Sequence, residues 1–248
     1  MSSPQVIILC GGQGTRLREH TQSIPKALVE IGGRPILWHI MKLYAHYGFR
    51  EFILCLGYKG ELIRAYFETH TDQWSVTFVD TGAETQTGGR VLRVLPHVTG
   101  DTVFVTYGDG LANIDLSDLL RFHRRQGTAT TITCVNPESP FGIVEIGADQ
   151  RVVRYQEKPR MDQWISGGFF VFERRAFSYL QGDADILERR PFEQMAADGE
   201  LSAYRFKDFW TCMDTYKDTQ RLNALWESGQ APWKVWADNM SRVPVLQP

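Results

Sequence analysis

Residues 6–17 read V-I-I-L-C-G-G-Q-G-T-R-L, an apolar run that passes directly into three glycines, Gly11, Gly12 and Gly14. So continuous an apolar run, here Gln5 to Cys10, predicts a strand buried on both faces, as in a parallel sheet covered by helices on each side. Glycines at the end of such a strand let backbone N–H groups approach an anion closely. Arg16 at the close of the loop adds a charge-assisted clamp, so the stretch reads as a polyphosphate cradle. Two better-known cradles do not fit. Leu17 occupies the third glycine position of the dinucleotide fingerprint, and no Gly-Lys-Ser/Thr comes after it for a P-loop. A plain glycine turn is the competing reading, and Arg16 with the nearby Lys26 counts against it.

Outward from this loop, helical and strand-like patterns alternate. A helix is predicted from Pro35 to Tyr47, with proline in its first turn, Ile36, Ile40, Leu43, Tyr44 and Tyr47 at helical spacing, and Gly48 as its stop. Next come a strand at Glu51 to Leu56, a helix at Glu61 to Thr69 and strands at Ser75 to Val79 and Thr102 to Tyr107. That order is the signature of an α/β fold. An amphipathic helix from Leu116 to Arg125 leads to strands at Thr128 to Val135, Gly142 to Ile146, Val152 to Glu157 and Gly167 to Phe172. The last three read as an inserted antiparallel sheet over the ligand crevice of the first half. A closing helix from Thr215 to Trp226 stops at Gly229, and the aromatic tail APWKVW is expected on a surface groove or a neighbouring subunit. The fold expected is α/β, a Rossmann-like, mainly parallel sheet flanked by helices with a small antiparallel sheet added. Residues 1–248 form one domain in this reading, made of a first half (1–110), a second half (111–214) and a C-terminal helix and tail (215–248).

Composition narrows the function classes. The 248 residues are 43% hydrophobic and 23% charged, the balance of an ordinary globular protein, and the formal net charge is −2. A chain whose main task is neutralising nucleic-acid phosphates would be strongly basic, so a nucleic-acid partner is not expected. No stretch approaches the roughly 20 apolar residues that span a bilayer, and the start MSSPQVIILCGG has no basic leader, so a cytoplasmic protein without a membrane partner is expected. Cys10, Cys55, Cys134 and Cys212 lack metal-type spacing, and three of them lie in apolar runs, which suits reduced core residues. The six histidines are scattered, with no order that suggests a hydrolase triad. Asp109 comes after the apolar run VFVTYG and so ends a buried strand, where ligands of open α/β sheets bind.

Taken at greater length, GGQGTRLREHTQSIPKALVEIGGRPIL resembles the nucleotidyltransferases that join a nucleoside triphosphate to a sugar 1-phosphate, whose hallmark is G-G-x-G-T-R-L followed by P-K. Within that family the form PKALVEIGGRPILWHIMKLYAHYGF is most similar to the glucose-1-phosphate cytidylyltransferases. Further words in the order of that subgroup are LGYKG, VDTG, TGGR, TYGDG, FGIVEI, QEKP, GGFFVF and FWTCMDTYKD, and they extend the resemblance over nearly the whole chain.

The resemblance implies a nucleotide-diphospho-sugar transferase fold, with 1–110 the nucleotide-binding half and 111–214 the sugar-phosphate half, and attack of a sugar 1-phosphate oxygen on the α-phosphorus of a nucleoside triphosphate, with pyrophosphate leaving. CTP and glucose 1-phosphate are the substrates it implies, and a homo-oligomer the assembly. By the same carry-over Arg16 and Lys26 are catalytic. Leu9, Gly11, Gly12, Gly14, Thr15, Thr85, Gly88, Gly89, Arg90 and Gly108 hold the nucleotide. Gly142, Glu157, Lys158 and Ser166 hold the sugar phosphate, and Asp109 and Asp214 hold Mg²⁺. Three positions depart from the subgroup. The excursion usual between VTF and VDTG is missing at Phe78 and Val79, Ser166 stands where asparagine is typical, and Cys10 replaces alanine. These departures leave open a uridylyl- or thymidylyltransferase and a different sugar 1-phosphate. A non-catalytic nucleotide-sugar-binding module is the rival from another class, and a dinucleotide oxidoreductase is disfavoured by Leu17.

Overall fold

A computed structural model describes residues 3–14, 23–70 and 72–237. In chain order the strands are β1 (Val6–Leu9), β2 (Glu30–Ile31), β3 (Arg34–Pro35), β4 (Glu51–Leu56), β5 (Ser75–Asp80), β6 (Thr102–Tyr107) and β7 (Gly110–Ala112). They continue with β8 (Thr130–Val135), β9 (Ile143–Ile146), β10 (Val152–Gln156), β11 (Ile165–Glu173), β12 (Leu201–Phe206) and β13 (Trp210–Cys212). The α-helices are α1 (Ile36–His46), α2 (Gly60–Thr69), α3 (Thr87–Arg93), α4 (Leu116–Gln126), α5 (Arg190–Ala197) and α6 (Tyr216–Glu227).

Seven strands form the central sheet in the order β12-β8-β11-β6-β1-β4-β5. β1 pairs in parallel with β4 on one edge and β6 on the other, and β5 and β12 add parallel strands at the two ends. Only β11 runs against its neighbours β6 and β8. The all-apolar VIIL of β1 has a physical reason, because both faces of the sheet are covered. Val6 and Ile8 join Phe52, Leu54, Phe104 and Phe169 under α1, α2 and α4, while Ile7 and Leu9 join Ile53, Val105, Phe170 and Phe172 under α3 and α5.

Two expectations change. The three pieces after residue 140 do not form one inserted sheet: β9 and β10 pair only with each other, whereas β11 enters the central sheet between β8 and β6. The run FFVF in β11 is buried throughout, which suits a strand covered on both faces, while every residue of β9 and β10 is exposed. β11 also shifts register between Ser166 and Phe170. Gly168 lies in that stretch with φ +78°, and a Cβ there would come within 2.6 Å of the Tyr107 ring. The second change concerns the aromatic tail, which packs into its own chain: Trp233 is fully buried, and Trp236 lies against Trp38 of α1. β5 runs without interruption through Phe78 and Val79, paired with β4 from end to end.

The tail is anchored by His39 of α1. Its Nε2–H donates to the Ile31 carbonyl at 2.8 Å, and its Nδ1 accepts the Trp233 indole N–H at 3.3 Å. Burial pushes the His39 pKa down from 6.5 to about 4. Between those values the unfolded chain carries a proton that the native chain does not, so stability falls as the pH drops through the window. The loss expected from this one residue is about 3 kcal/mol by pH 4. Urea denaturation at pH 7 and 4.5 checks it: His39→Gln should be less stable at pH 7 and lose less on acidification, and an equal acid loss in both proteins would contradict the assignment.

Candidate active site

The parallel strands β1, β4 and β6 end on the same side of the sheet, and a cavity of about 620 Å³ opens at the ends of β1 and β6. Its walls are residues 9–14, 26–27, 83–87, 90, 107–109 and 214. Leu9, Gly11, Gly12, Gly14, Thr85, Arg90, Gly108, Lys26, Asp109 and Asp214, all expected from sequence, meet here. Gly12 faces open space, so its backbone is accessible to a ligand. The Gly108 N–H is spent on the Leu9 carbonyl at 3.0 Å, which ties the end of β6 to the end of β1.

One corner of the cavity carries the charge. Lys26 begins a 3-10 turn directly after Pro25, and its Nζ donates to Asp109 Oδ2 and Asp214 Oδ1, each at 2.7 Å. Asp109 lies just beyond β6. Asp214 is brought beside it by the short ribbon of β13 on β7, where Cys212 faces Gly110, and by the Met213 N–H, which donates to the Asp109 carbonyl at 2.9 Å. Asp218 accepts from the Asp214 N–H at 3.1 Å and closes a capping box with Thr215 at the start of α6, so the carboxylate sits at a fixed helix entry. Burial alone would lower the Lys26 pKa, but Asp109 and Asp214 outweigh it and raise the pKa above the usual lysine value. The ammonium therefore stays charged. The Cys212 thiol donates to Asp214 Oδ2 at 3.3 Å, and burial together with the two carboxylates pushes its pKa up to about 12, so it is neutral.

Two carboxylates converging on one point form a hard oxygen donor set, which suits a divalent cation that takes its other ligands from water and substrate phosphates. Among the described residues no group of three or more His, Cys, Asp or Glu is arranged to hold a metal ion, so a cage made wholly of protein ligands does not occur there. The donor set fits a cation shared with a phosphorylated ligand.

Other expected residues lie elsewhere. Thr15 and Arg16 fall outside the described residues, as does Leu17. Gly88 and Gly89 belong to α3 and are not part of the cavity wall. Both N–H groups donate to the Asp185 carbonyl, and a Cβ on either would strike the backbone at Asp185 or Asp183. The missing side chains allow close packing of α3 on that loop. Gly142, Glu157, Lys158 and Ser166 are not part of the cavity wall either. Gly142 sits under the Tyr155 ring, Glu157 accepts the Tyr155 hydroxyl at 2.7 Å, and Lys158 pairs with Glu157 at 3.7 Å. Ser166 is exposed on β11 opposite Cys134. Gln13, Glu84, Gln86, Thr87 and Tyr107 complete the wall. No chemical signal marks them in the sequence, although Tyr107 lies inside the stretch TYGDG.

Comparison with known proteins bears on what this cavity serves. The family model described as nucleotidyl transferase matches residues 5–231. A glucose-1-phosphate cytidylyltransferase of Salmonella typhimurium is 43% identical over 256 residues, covering 94% of this chain and 99% of that one. A mannose-1-phosphate guanylyltransferase of Mycobacterium tuberculosis is 35% identical over 243 residues, covering 94% of this chain and 67% of that one. The crystal structure of HddC from Yersinia pseudotuberculosis matches with a TM-score of 0.74 at 22% identity over 90% of this chain and 100% of that one, a likeness of fold.

Removing the Lys26 charge should leave two carboxylates facing each other in a partly buried corner. Lys26→Met is expected to lower unfolding stability at pH 7 by about 1–3 kcal/mol, and Lys26→Met with Asp214→Asn to recover part of it. Urea denaturation of the double-mutant cycle measures this, and strictly additive losses would show that the three groups do not act together.

Proposed function

We propose that this chain, which belongs to the nucleotidyl transferase family, is an enzyme that transfers a cytidylyl group from CTP to glucose 1-phosphate and releases pyrophosphate. The observation that carries the chemistry is Lys26 held between Asp109 and Asp214 on the wall of a glycine-lined cavity. The choice of base and sugar rests on the relative that is 43% identical along almost its full length.

In this reading the triphosphate lies along the backbone of Gly11 to Gly14, with its α-phosphate toward Lys26 and its base toward Thr85. An oxygen of the sugar 1-phosphate forms a bond to the α-phosphorus as the bond to the β-phosphate oxygen breaks, and pyrophosphate departs. No covalent enzyme intermediate is needed, so alignment and charge neutralisation supply the rate. Lys26 contributes a positive charge that its two carboxylate partners keep protonated. Asp109 and Asp214 would hold Mg²⁺, which when bound would neutralise phosphate charge. Arg16 and Thr15 stay assigned to the departing phosphates and the triphosphate. Gly142, Glu157, Lys158 and Ser166 stay assigned to the sugar phosphate, and Gly12 and Gly108 to the nucleotide backbone contacts. The whole chain works as one domain and as a homo-oligomer on small metabolites in the cytoplasm. Among the described residues no helix is long and apolar enough to cross a membrane.

Pyrophosphate release measured with CTP, UTP, dTTP, ATP and GTP against several sugar 1-phosphates tests the proposal. Release is expected with CTP and glucose 1-phosphate above every other pair. No release with any pair, despite nucleotide binding, would overturn the catalytic reading in favour of a binding module. Asp109→Asn is expected to lose turnover by on the order of a hundredfold or more while melting within a few degrees of the unaltered protein. Unchanged turnover would remove Asp109 from the reacting centre.

A further inference from the structure

Arg90 projects from α3 into the seam where the loops after β1, β4 and β5 meet, and its side chain is buried, 5% exposed. Nη1 donates to the carbonyls of Leu56 at 3.1 Å and Gly82 at 2.7 Å and to Thr81 Oγ1 at 2.7 Å. Nη2 donates to the carbonyls of Gly11 at 3.1 Å and Ala83 at 3.2 Å. The Thr81 hydroxyl passes its own hydrogen to the Leu56 carbonyl at 2.6 Å. Among the described residues no carboxylate forms an ion pair with this guanidinium, so carbonyl and hydroxyl dipoles carry its charge.

Two glycines are shaped around it. A Cβ at Gly57 would lie 2.6 Å from Nη1, and a Cβ at Gly11 would run into the same nitrogen. Gly11 is therefore glycine because Arg90 passes over it, whatever its backbone does for a ligand. Gly11 and Ala83 both line the cavity, and Nη2 ties the two loops together by donating to both. The Nη hydrogens are already given to five oxygens, so a phosphate could take one only by breaking this clamp.

We propose that Arg90 is a positioning residue for the nucleotide. It acts through the backbone of Gly11, Gly82 and Ala83, fixing the two lining loops relative to one another, and not by gripping a phosphate. This role rests on the cavity being the nucleotide site of the proposed reaction. Lysine cannot take over, because a single ammonium lacks the planar fork that reaches acceptors in two directions.

Titration calorimetry with CTP and with CMP, on the full chain held well below each variant's melting temperature, tests the role. Arg90→Lys and Arg90→Gln are each expected to weaken both nucleotides by the same factor, about tenfold, with lysine no better than glutamine. A folded Arg90→Lys with unaltered affinity, or a loss much larger for CTP than for CMP, overturns the proposal, the first making Arg90 merely structural and the second a phosphate contact. Should neither variant fold, Thr81→Val keeps the shape and removes one acceptor of the clamp. It is expected to weaken CTP and CMP alike by about threefold, and unaltered affinities would overturn the proposal. An unaltered protein that binds GTP and GMP but neither cytidine nucleotide would instead overturn the base assignment, and the same comparison run with the guanosine pair would then decide the role of Arg90.

Discussion

Strand β1 is held by parallel ladders on both edges, and the whole site hangs from where it and its two neighbours end. A strand bonded on both sides and covered on both faces has no freedom to shift register, because a slip of one residue would exchange Val6 and Ile8 for Ile7 and Leu9 between two separate cores. The ends of β1, β4 and β6 are therefore fixed relative to one another. The segment beyond each end can be an irregular loop without becoming an imprecise one. The Gly108 N–H on the Leu9 carbonyl, the Tyr58 N–H on the Gly11 carbonyl and the Arg90 fork carry that precision outward into the cavity walls.

The charged corner depends on the same sheet by a longer route. Lys26 and Asp109 hang from the loops after β1 and β6, but Asp214 lies far along the chain from both. It arrives through β13, a strand of three residues that would be worth little alone. β7, the Asn113 N–H on the Phe209 carbonyl and the cap of α6 register it. Three partly buried charges then form a unit in which each explains the others: the ammonium keeps two carboxylates together, and they keep it protonated. In the proposed function a polyphosphate and a divalent cation would meet at this corner, so a chain whose formal net charge is −2 needs no strongly basic surface to bind them.

Much of the fold is legible in the sequence, and the physical reason differs from element to element. β4 and β6 can be read to the residue because they are apolar for most of their length and bounded by polar or glycine residues. The first turn of α3 is hidden, since Gly88 and Gly89 are poor helix formers, and it forms because those glycines let the helix dock on the loop at Asp183 and Asp185. The same two residues show why a glycine is ambiguous: the absence of a side chain serves a ligand and a packed helix equally well, and sequence does not say which. β7 and β13 are too short to show a period, so the proximity of Asp109 and Asp214 can be taken from sequence only by resemblance. The aromatic tail reads as a surface element because nothing in APWKVW reveals its partner. That partner is His39, buried in α1 and 194 residues before Trp233, whose indole it accepts.

In the proposed function one cavity at the ends of β1 and β6 holds the nucleotide with its phosphates at the Lys26 corner and its base near Thr85. A crystal structure of the protein grown with CTP measures this most directly. The expected density places the α-phosphate beside Lys26, Asp109 and Asp214 and the cytosine against residues 83–87. A nucleotide seated elsewhere, or one reversed so that its base meets Lys26, would contradict it.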